Sequence, residues 1–284
     1  WIYDSELDEW HGVIKENLWR LRQPDASHPV EFHMPLKFKR LVHNEDPSDL
    51  VEYFRLNVSL SALLKDWCTK DGQFARPEKH SLVQLDCQAS GIRLLHQDPV
   101  ETVFAFMTSA NNNVTRITQL LMRLSKTCGQ PILYPDTPKV RHWQFPSLLT
   151  LAQPGMEDKL RAMGFGYRSK FIPAAARWIQ NHGGEQRLLQ LRMASTEEAR
   201  KFLSQIPGIG NKVADCICLS ALDKISAVPV DVHILRVARE RGIPAAACST
   251  LTPKSYRAIS DSLTILWGDW AGWAQAVLQL IGGG

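Results

Sequence analysis

With 284 residues, 44% of them hydrophobic, the chain can bury a large core and has the length of one large or two medium domains. Its formal charge of +4 and pI near 8.7 suit a nucleic-acid partner without requiring one. No apolar run approaches the roughly 18 residues of a membrane span, no secretory signal opens the chain, and Cys68, Cys87, Cys128, Cys216, Cys218 and Cys248 lack zinc-ligand spacing, which excludes a membrane-spanning protein and a zinc ribbon and leaves reduced intracellular thiols as the expectation. The start at Trp1 and the end at Gly282-Gly283-Gly284 read as a trimmed fragment.

In chain order, His11-Gly12-Val13-Ile14 and Leu18-Trp19-Arg20-Leu21 flank Lys15-Glu16-Asn17 and predict a hairpin. Val30, Phe32, Met34, Leu36 and Phe38 then alternate with polar residues and Pro35, the period-two pattern of a half-buried edge or bulged strand. A small antiparallel β lobe therefore comes first. After Asp46-Pro47-Ser48-Asp49 the periodicity becomes helical. Asp98-Pro99-Val100-Glu101 reads as a capping box with an N1 proline, and Val100, Val103, Phe104 and Met107 mark the buried face that follows. Asn111-Asn112-Asn113 interrupts. The next helix is expected to bury Ile117, Leu120, Leu121 and Leu124 and to turn Arg116, Arg123 and Lys126 outward. Ser195-Thr196-Glu197-Glu198 is a second capping box, leading into the stripe Ala199, Phe202, Leu203 and Ile206.

That helix runs into Ile206-Pro207-Gly208-Ile209-Gly210-Asn211-Lys212, a glycine turn followed by an exit helix carrying Val213, Ile217 and Ala221. A helix N-terminus behind Gly208 and Gly210 presents unpaired backbone N–H groups and partial positive charge, which suit a nucleic-acid phosphate. Lys212 stands at that mouth. A lysine amine attacks carbon only when unprotonated, so desolvation or nearby positive potential must help it. Nineteen residues on, Pro229 and Asp231 approach and cap a further helix whose apolar face is expected to include Val232, Leu235 and Val237 or Ala238. A carboxylate there could stabilise positive charge on a sugar losing its base. Taken singly, Asp231 is also an ordinary helix cap and Lys212 a solvated surface lysine; capping and catalysis are compatible.

The run Ile206 to Cys218, followed by Ala227-Val228-Pro229-Val230-Asp231-Val232-His233, closely resembles the helix-hairpin-helix glycosylases, specifically the 8-oxoguanine DNA glycosylases. The resemblance extends through Gln97 to Glu101, Asn111 to Ile117, Gly164-Phe165-Gly166-Tyr167-Arg168 and Trp267 to Leu278, in family order over nearly the whole chain. It implies an α+β, mainly α fold, with an N-terminal lobe over residues 1–95 and a helical helix-hairpin-helix glycosylase region over 96–284 holding DNA between its subdomains. It further implies that Lys212 attacks the anomeric carbon, displaces the base and forms a Schiff base that permits β-elimination, with Asp231 assisting. No metal or organic cofactor is required for that chemistry, since the amine is itself the electron sink. A structural cation on the carbonyls of Ser204, Ile206 and Ile209 is expected.

A base stacked in a duplex is inaccessible, so such an enzyme extrudes it. By the resemblance Tyr167 wedges into the stack beside the orphaned cytosine, and Asn111, Arg116 and Arg168 hydrogen-bond its edge. Gln275, whose amide offers donor and acceptor, reads the flipped purine; Cys216 packs on its face, Pro229 belongs to the same pocket, and His233 approaches the phosphate. Two departures stand out. The family's second stacking residue, a phenylalanine four positions beyond the glutamine, is Gln279 here, and the family's glycine that senses the purine N7 hydrogen would fall upstream of Trp1. The implied partner is duplex DNA bearing oxidised guanine, bound by a monomer, with the nucleus as the destination and the mitochondrion as a second. Two alternatives remain. One is a related glycosylase of other base specificity, although nothing after Cys248 could build that branch's iron–sulfur cluster; the other is a helix-hairpin-helix module that only binds DNA.

Overall fold

The computed structural model describes residues 1–15, 17–25, 30–33, 47–74, 91–132 and 142–281. A four-stranded antiparallel sheet opens the chain in the order β1 (Ile2–Asp4), β2 (Glu9–Ile14), β3 (Asn17–Arg22), β4 (Glu31–His33). The expected hairpin is β2–β3, with Ile14 opposite Asn17 and His11 opposite Arg20, so Asn17 belongs to the strand and not to the turn. Lys15 takes φ 56° at the turn, as a tight hairpin connection demands. The alternating segment from Val30 forms a strand over Glu31–His33, while Met34, Pro35, Leu36 and Phe38 lie outside the described residues. Ile14 and Trp19 on the inner face pack with Leu50 of α1 (Ser48–Tyr53), with Leu21, Phe32, Tyr53 and Phe54 around them.

Among the described residues the regular structure beyond the sheet is helical apart from a short ribbon, β5 (Pro131–Ile132) and β6 (His142–Trp143). The helices are α2 (Leu60–Lys70), α3 (Pro99–Ser109), α4 (Val114–Cys128), α5 (Leu148–Leu151), α6 (Met156–Ala162), α7 (Arg168–Asn181), α8 (Gly184–Gln190), α9 (Thr196–Leu203), α10 (Asn211–Ala221), α11 (Val232–Glu240), α12 (Pro253–Trp267) and α13 (Ala271–Ile281). One core unites them: Leu64, Trp67 and Phe74 pack in the same cluster as Phe104, Ile172, Ile217, Leu263, Trp267 and Trp273. The expected apolar face of α3 is buried throughout, and α4 buries Leu120 and Leu124 fully while Ile117 and Leu121 are half-buried.

Both capping-box expectations are half right. Asp98 accepts from the Glu101 N–H at 2.8 Å and Ser195 from the Glu198 N–H at 3.1 Å, but neither glutamate reaches back to its cap. Glu198 is engaged by Arg187 at 2.9 Å. The reciprocal box forms instead at Thr252 and Ser255. On α11 the expectation for Val232 fails: it is 77% exposed, because the buried stripe runs through Ile234, Val237 and Ala238 and leaves the first helical position facing outward.

Polar contacts tie the sheet and the α1 segment to the later helices. Arg55 binds Asp223 at 2.7 Å, the His96 N–H donates to the Tyr53 carbonyl and the Gln97 N–H to that of Ser220, and His11 Nδ1 meets His142 Nε2 at 3.2 Å. Burial, followed by neighbouring His11, pushes the His142 pKa down to about 4. The unfolded chain therefore takes up a proton that the native imidazole refuses between pH 6.5 and about 4, and stability falls as pH falls through that window. His142→Gln is expected to flatten this slope, removing about 2 kcal/mol of acid sensitivity. Thermal melts of both proteins from pH 7 to pH 4 measure it, and parallel slopes would contradict the assignment.

Candidate active site at the glycine hairpin

Helix α9 buries Ala199 and Leu203 and ends at Ser204. The chain then turns tightly, with the Ile206 N–H on the Leu203 carbonyl and the Ile209 N–H on the Ile206 carbonyl, both at 3.1 Å. Gly208 supports this turn at φ +88°, and a Cβ there would meet the Phe171 side chain at 3.0 Å, so glycine answers both the left-handed backbone and the close approach. Gly210 is the N-cap of α10 and offers no side-chain cap, which leaves the first N–H groups of that helix open to an anion.

Lys212 lies in this first turn, half-buried, its Nζ 5.9 Å from the centre of the Phe106 ring. One turn on, Cys216 is buried. Burial pushes its thiol up to about 11, against an opposing pull from Lys212, while Asp231 adds to the rise. Burial thus keeps the thiol neutral, a packing surface and not a nucleophile. Among the described residues Lys212 and Asp231 form no direct ion pair.

Asp231 caps α11 as expected: Oδ1 accepts from the His233 N–H at 3.0 Å and the Ile234 N–H at 2.9 Å. These donors are consumed by the cap, so the open helix mouth of the site is that of α10. His233 itself is exposed at the start of α11 and Pro229 is buried just before it.

The segment leading to Asp231 is held from beneath. The Val230 N–H donates to Tyr256 Oη at 3.2 Å, Tyr256 Oη donates to Asp215 Oδ2 at 2.8 Å, and Arg200 Nε donates to Asp215 Oδ1 at 2.5 Å. Ser260 Oγ donates to the Val228 carbonyl at 2.9 Å. Sequence reasoning missed all four side chains. Asp215 was visible as an acid between Val213 and Ile217 on an otherwise apolar helix, and a buried charge requires a partner; its partners are distant in sequence.

Helix α13 packs tightly over α10. A Cβ on Gly272 would lie 2.3 Å from Leu219 Cδ1 and 2.5 Å from the Ala227 carbonyl oxygen. The approach brings in Gln275, 3% exposed and without a hydrogen-bond partner among the described residues, and Gln279, whose Nε2 donates to Asp231 Oδ2 at 2.5 Å.

The residues expected to meet the opposite strand cluster elsewhere on the surface. Asn111 is exposed with φ 49° in the turn between α3 and α4, and Tyr167, 55% exposed, donates its hydroxyl to the Ala110 carbonyl at 3.2 Å. Arg168 is 5% exposed. Its guanidinium donates to the carbonyls of Ala110 and Asn111 and lies 4.6 Å from the Tyr167 ring centre. Arg116 is exposed but donates to the Gly164 carbonyl at 3.2 Å. The expected set is thus brought together, with Arg168 turned inward and both arginines engaged by backbone.

Residues 1–103 match the family model described as 8-oxoguanine DNA glycosylase, N-terminal domain, and residues 104–253 match that of the HhH-GPD superfamily base excision DNA repair proteins. The chain belongs to the HhH-GPD superfamily of base excision repair proteins. It is 36% identical over 277 residues to the N-glycosylase/DNA lyase OGG1 of Arabidopsis thaliana, covering 95% of this chain and 70% of that protein. Against the N-glycosylase/DNA lyase of Saccharomyces cerevisiae it is 33% identical, with 98% and 78% covered. The solved structure of MBOgg1 in complex with a low affinity DNA ligand superposes with a TM-score of 0.78 at 25% identity, covering all of this chain and 87% of that one.

For this HhH-GPD protein the expected cation site can be tested on its donors. Ser204, Ile206 and Ile209 all fall on the one turn, and backbone carbonyls are hard oxygen donors suited to a hard cation. The Ile206 carbonyl keeps a second lone pair beside its bond from the Ile209 N–H. The residues fit. No cluster of three or more histidine, cysteine, aspartate or glutamate side chains that could hold a metal occurs among the described residues.

Proposed function

We propose that this HhH-GPD protein is a bifunctional DNA glycosylase and apurinic/apyrimidinic-site lyase that excises oxidised guanine, 8-oxoguanine opposite cytosine, from double-stranded DNA. The observation that carries the reading is the place of Lys212, half-buried in the first turn of α10 at a helix N-terminus free of any side-chain cap. The names of the Arabidopsis and yeast relatives support it.

In this reading the N–H groups behind Gly208 and Gly210 take a phosphate of the damaged strand, with His233 at the flipped nucleotide's own phosphate. The unprotonated Lys212 Nζ forms a bond to the anomeric carbon as the bond to the base breaks; the base leaves with the electron pair and is protonated as Nζ sheds its proton. Asp231 stabilises the positive charge that develops on the sugar. Ring opening gives a Schiff base, loss of a C2′ proton follows, and the 3′ phosphate departs. Gln275, which makes no hydrogen bond to the described residues, pairs with the edge of the purine, and Cys216 and Pro229 form the wall it packs on. Tyr167 enters the stack with Asn111 beside the estranged cytosine, which Arg116 and Arg168 reach on releasing the carbonyls of Gly164, Ala110 and Asn111. A hard cation on the carbonyls of Ser204, Ile206 and Ile209 would stiffen the turn and add positive potential near the phosphate.

Incubation with duplexes carrying 8-oxoguanine or other damaged bases opposite each normal base tests the proposal. Release of 8-oxoguanine, fastest opposite cytosine, is expected; activity on oxidised pyrimidines or on adenine mispairs instead would contradict it. In the same panel Arg168→Ala is expected to lose about tenfold of the cytosine preference, since a good side-chain contact to a base is worth roughly 1–3 kcal/mol. An unchanged opposite-base profile would remove Arg168 from that role.

A further inference from the structure

We propose that Gln279 is a positioning residue for Asp231, its carboxamide fixing the carboxylate oxygen that the helix cap leaves free. The inference rests on the catalytic reading of Asp231 and adds to it a side chain that stands where the 8-oxoguanine glycosylases are expected to carry a stacking ring.

The cap of α11 occupies only Oδ1, which takes both backbone N–H groups. The terminal torsion of an aspartate is broad, so a carboxylate held through one oxygen can still swing the other. Gln279 Nε2 donates to that other oxygen at 2.5 Å, and with three donors on two oxygens the plane of the group is set. The donor is itself anchored. It extends from α13, which is pressed against α10 and the Ala227 carbonyl so closely that Gly272 admits no side chain, and the Gly272 N–H is bonded to the Ile225 carbonyl at 3.0 Å. Gln275 and Gln279 are four residues apart and share one face of α13. Gln275 makes no hydrogen bond to the described residues and Gln279 is committed to Asp231, so the same rigid face that would meet the purine also orients the carboxylate. A phenylalanine at 279 could stack but could not donate.

Single-turnover excision on an 8-oxoguanine:cytosine duplex, measured from pH 5 to pH 9 beside duplex binding, tests this with Gln279→Leu and Gln279→Glu. For Gln279→Leu the excision rate constant is expected to fall about tenfold, the worth of one hydrogen bond to a charged group, with the duplex Kd within about twofold of wild type. Gln279→Glu is expected to approach the wild-type rate at the acid end, where the neighbouring Asp231 carboxylate favours the protonated carboxyl that can donate, and to fall away as pH rises and a second carboxylate forms beside Asp231. Wild-type rates and an unshifted pH profile in both variants would overturn the inference while leaving the proposed function intact. Equal losses in both variants at every pH would also overturn it, since they would mark a purely structural role. Failure of the wild-type protein to excise 8-oxoguanine would overturn the proposed function and this inference with it.

Discussion

Lys212→Gln is expected to bind damaged duplex within a few-fold of wild type while losing base excision coupled to strand cleavage by about three orders of magnitude or more, as removal of a nucleophile does elsewhere. The separation follows from where the two functions reside. Phosphate binding is assigned to backbone N–H groups behind Gly208 and Gly210, which owe nothing to the lysine side chain. Lys212 is only half-buried and its amine sits near the Phe106 ring and Cys216, so a glutamine of similar length leaves little void. Filter binding and single-turnover cleavage on one duplex read the two quantities separately. A variant that still cleaves at near the wild-type rate would place the nucleophile elsewhere.

The second large effect is on stability. Asp215→Leu is expected to destabilise the protein by about 3–5 kcal/mol, because removing one member of a buried ion pair strands the other. Arg200 loses its partner at 2.5 Å and Tyr256 its acceptor at 2.8 Å. The Tyr256 hydroxyl also receives the Val230 N–H, so the loss should loosen the approach to Asp231 as well as the core. Denaturant unfolding should show the midpoint shift, and the melting temperature should drop by about 10 °C. A change below about 1 kcal/mol would show that the network adds nothing to the fold. The Cys216 thiol, by contrast, needs no such partner, since burial keeps it neutral.

The parts of the site legible in the sequence are those set by local rules. A glycine turn between two apolar stripes announces the hairpin and the place of Lys212, and an aspartate before an apolar helix announces its cap, both within a few residues of chain. Val232 lies off the buried stripe because the first turn of α11 projects away from the core that Ile234 and Val237 enter. The inward pose of Arg168 and the engagement of Arg116 by Gly164 depend on the turn after α3 meeting the turn before α7, a tertiary event that no spacing records. Gln279 makes the same point more sharply. Along the sequence it reads as the loss of an aromatic wall, and only the approach of α13 at Gly272 turns it into a donor for Asp231.

Borohydride reduction of the protein mixed with an 8-oxoguanine:cytosine duplex, followed by peptide mapping of any protein–DNA adduct, tests the central claim most directly. The account predicts a covalent adduct whose crosslink maps to Lys212 and is absent from Lys212→Gln. An adduct on another residue, or undiminished trapping by Lys212→Gln, would contradict it.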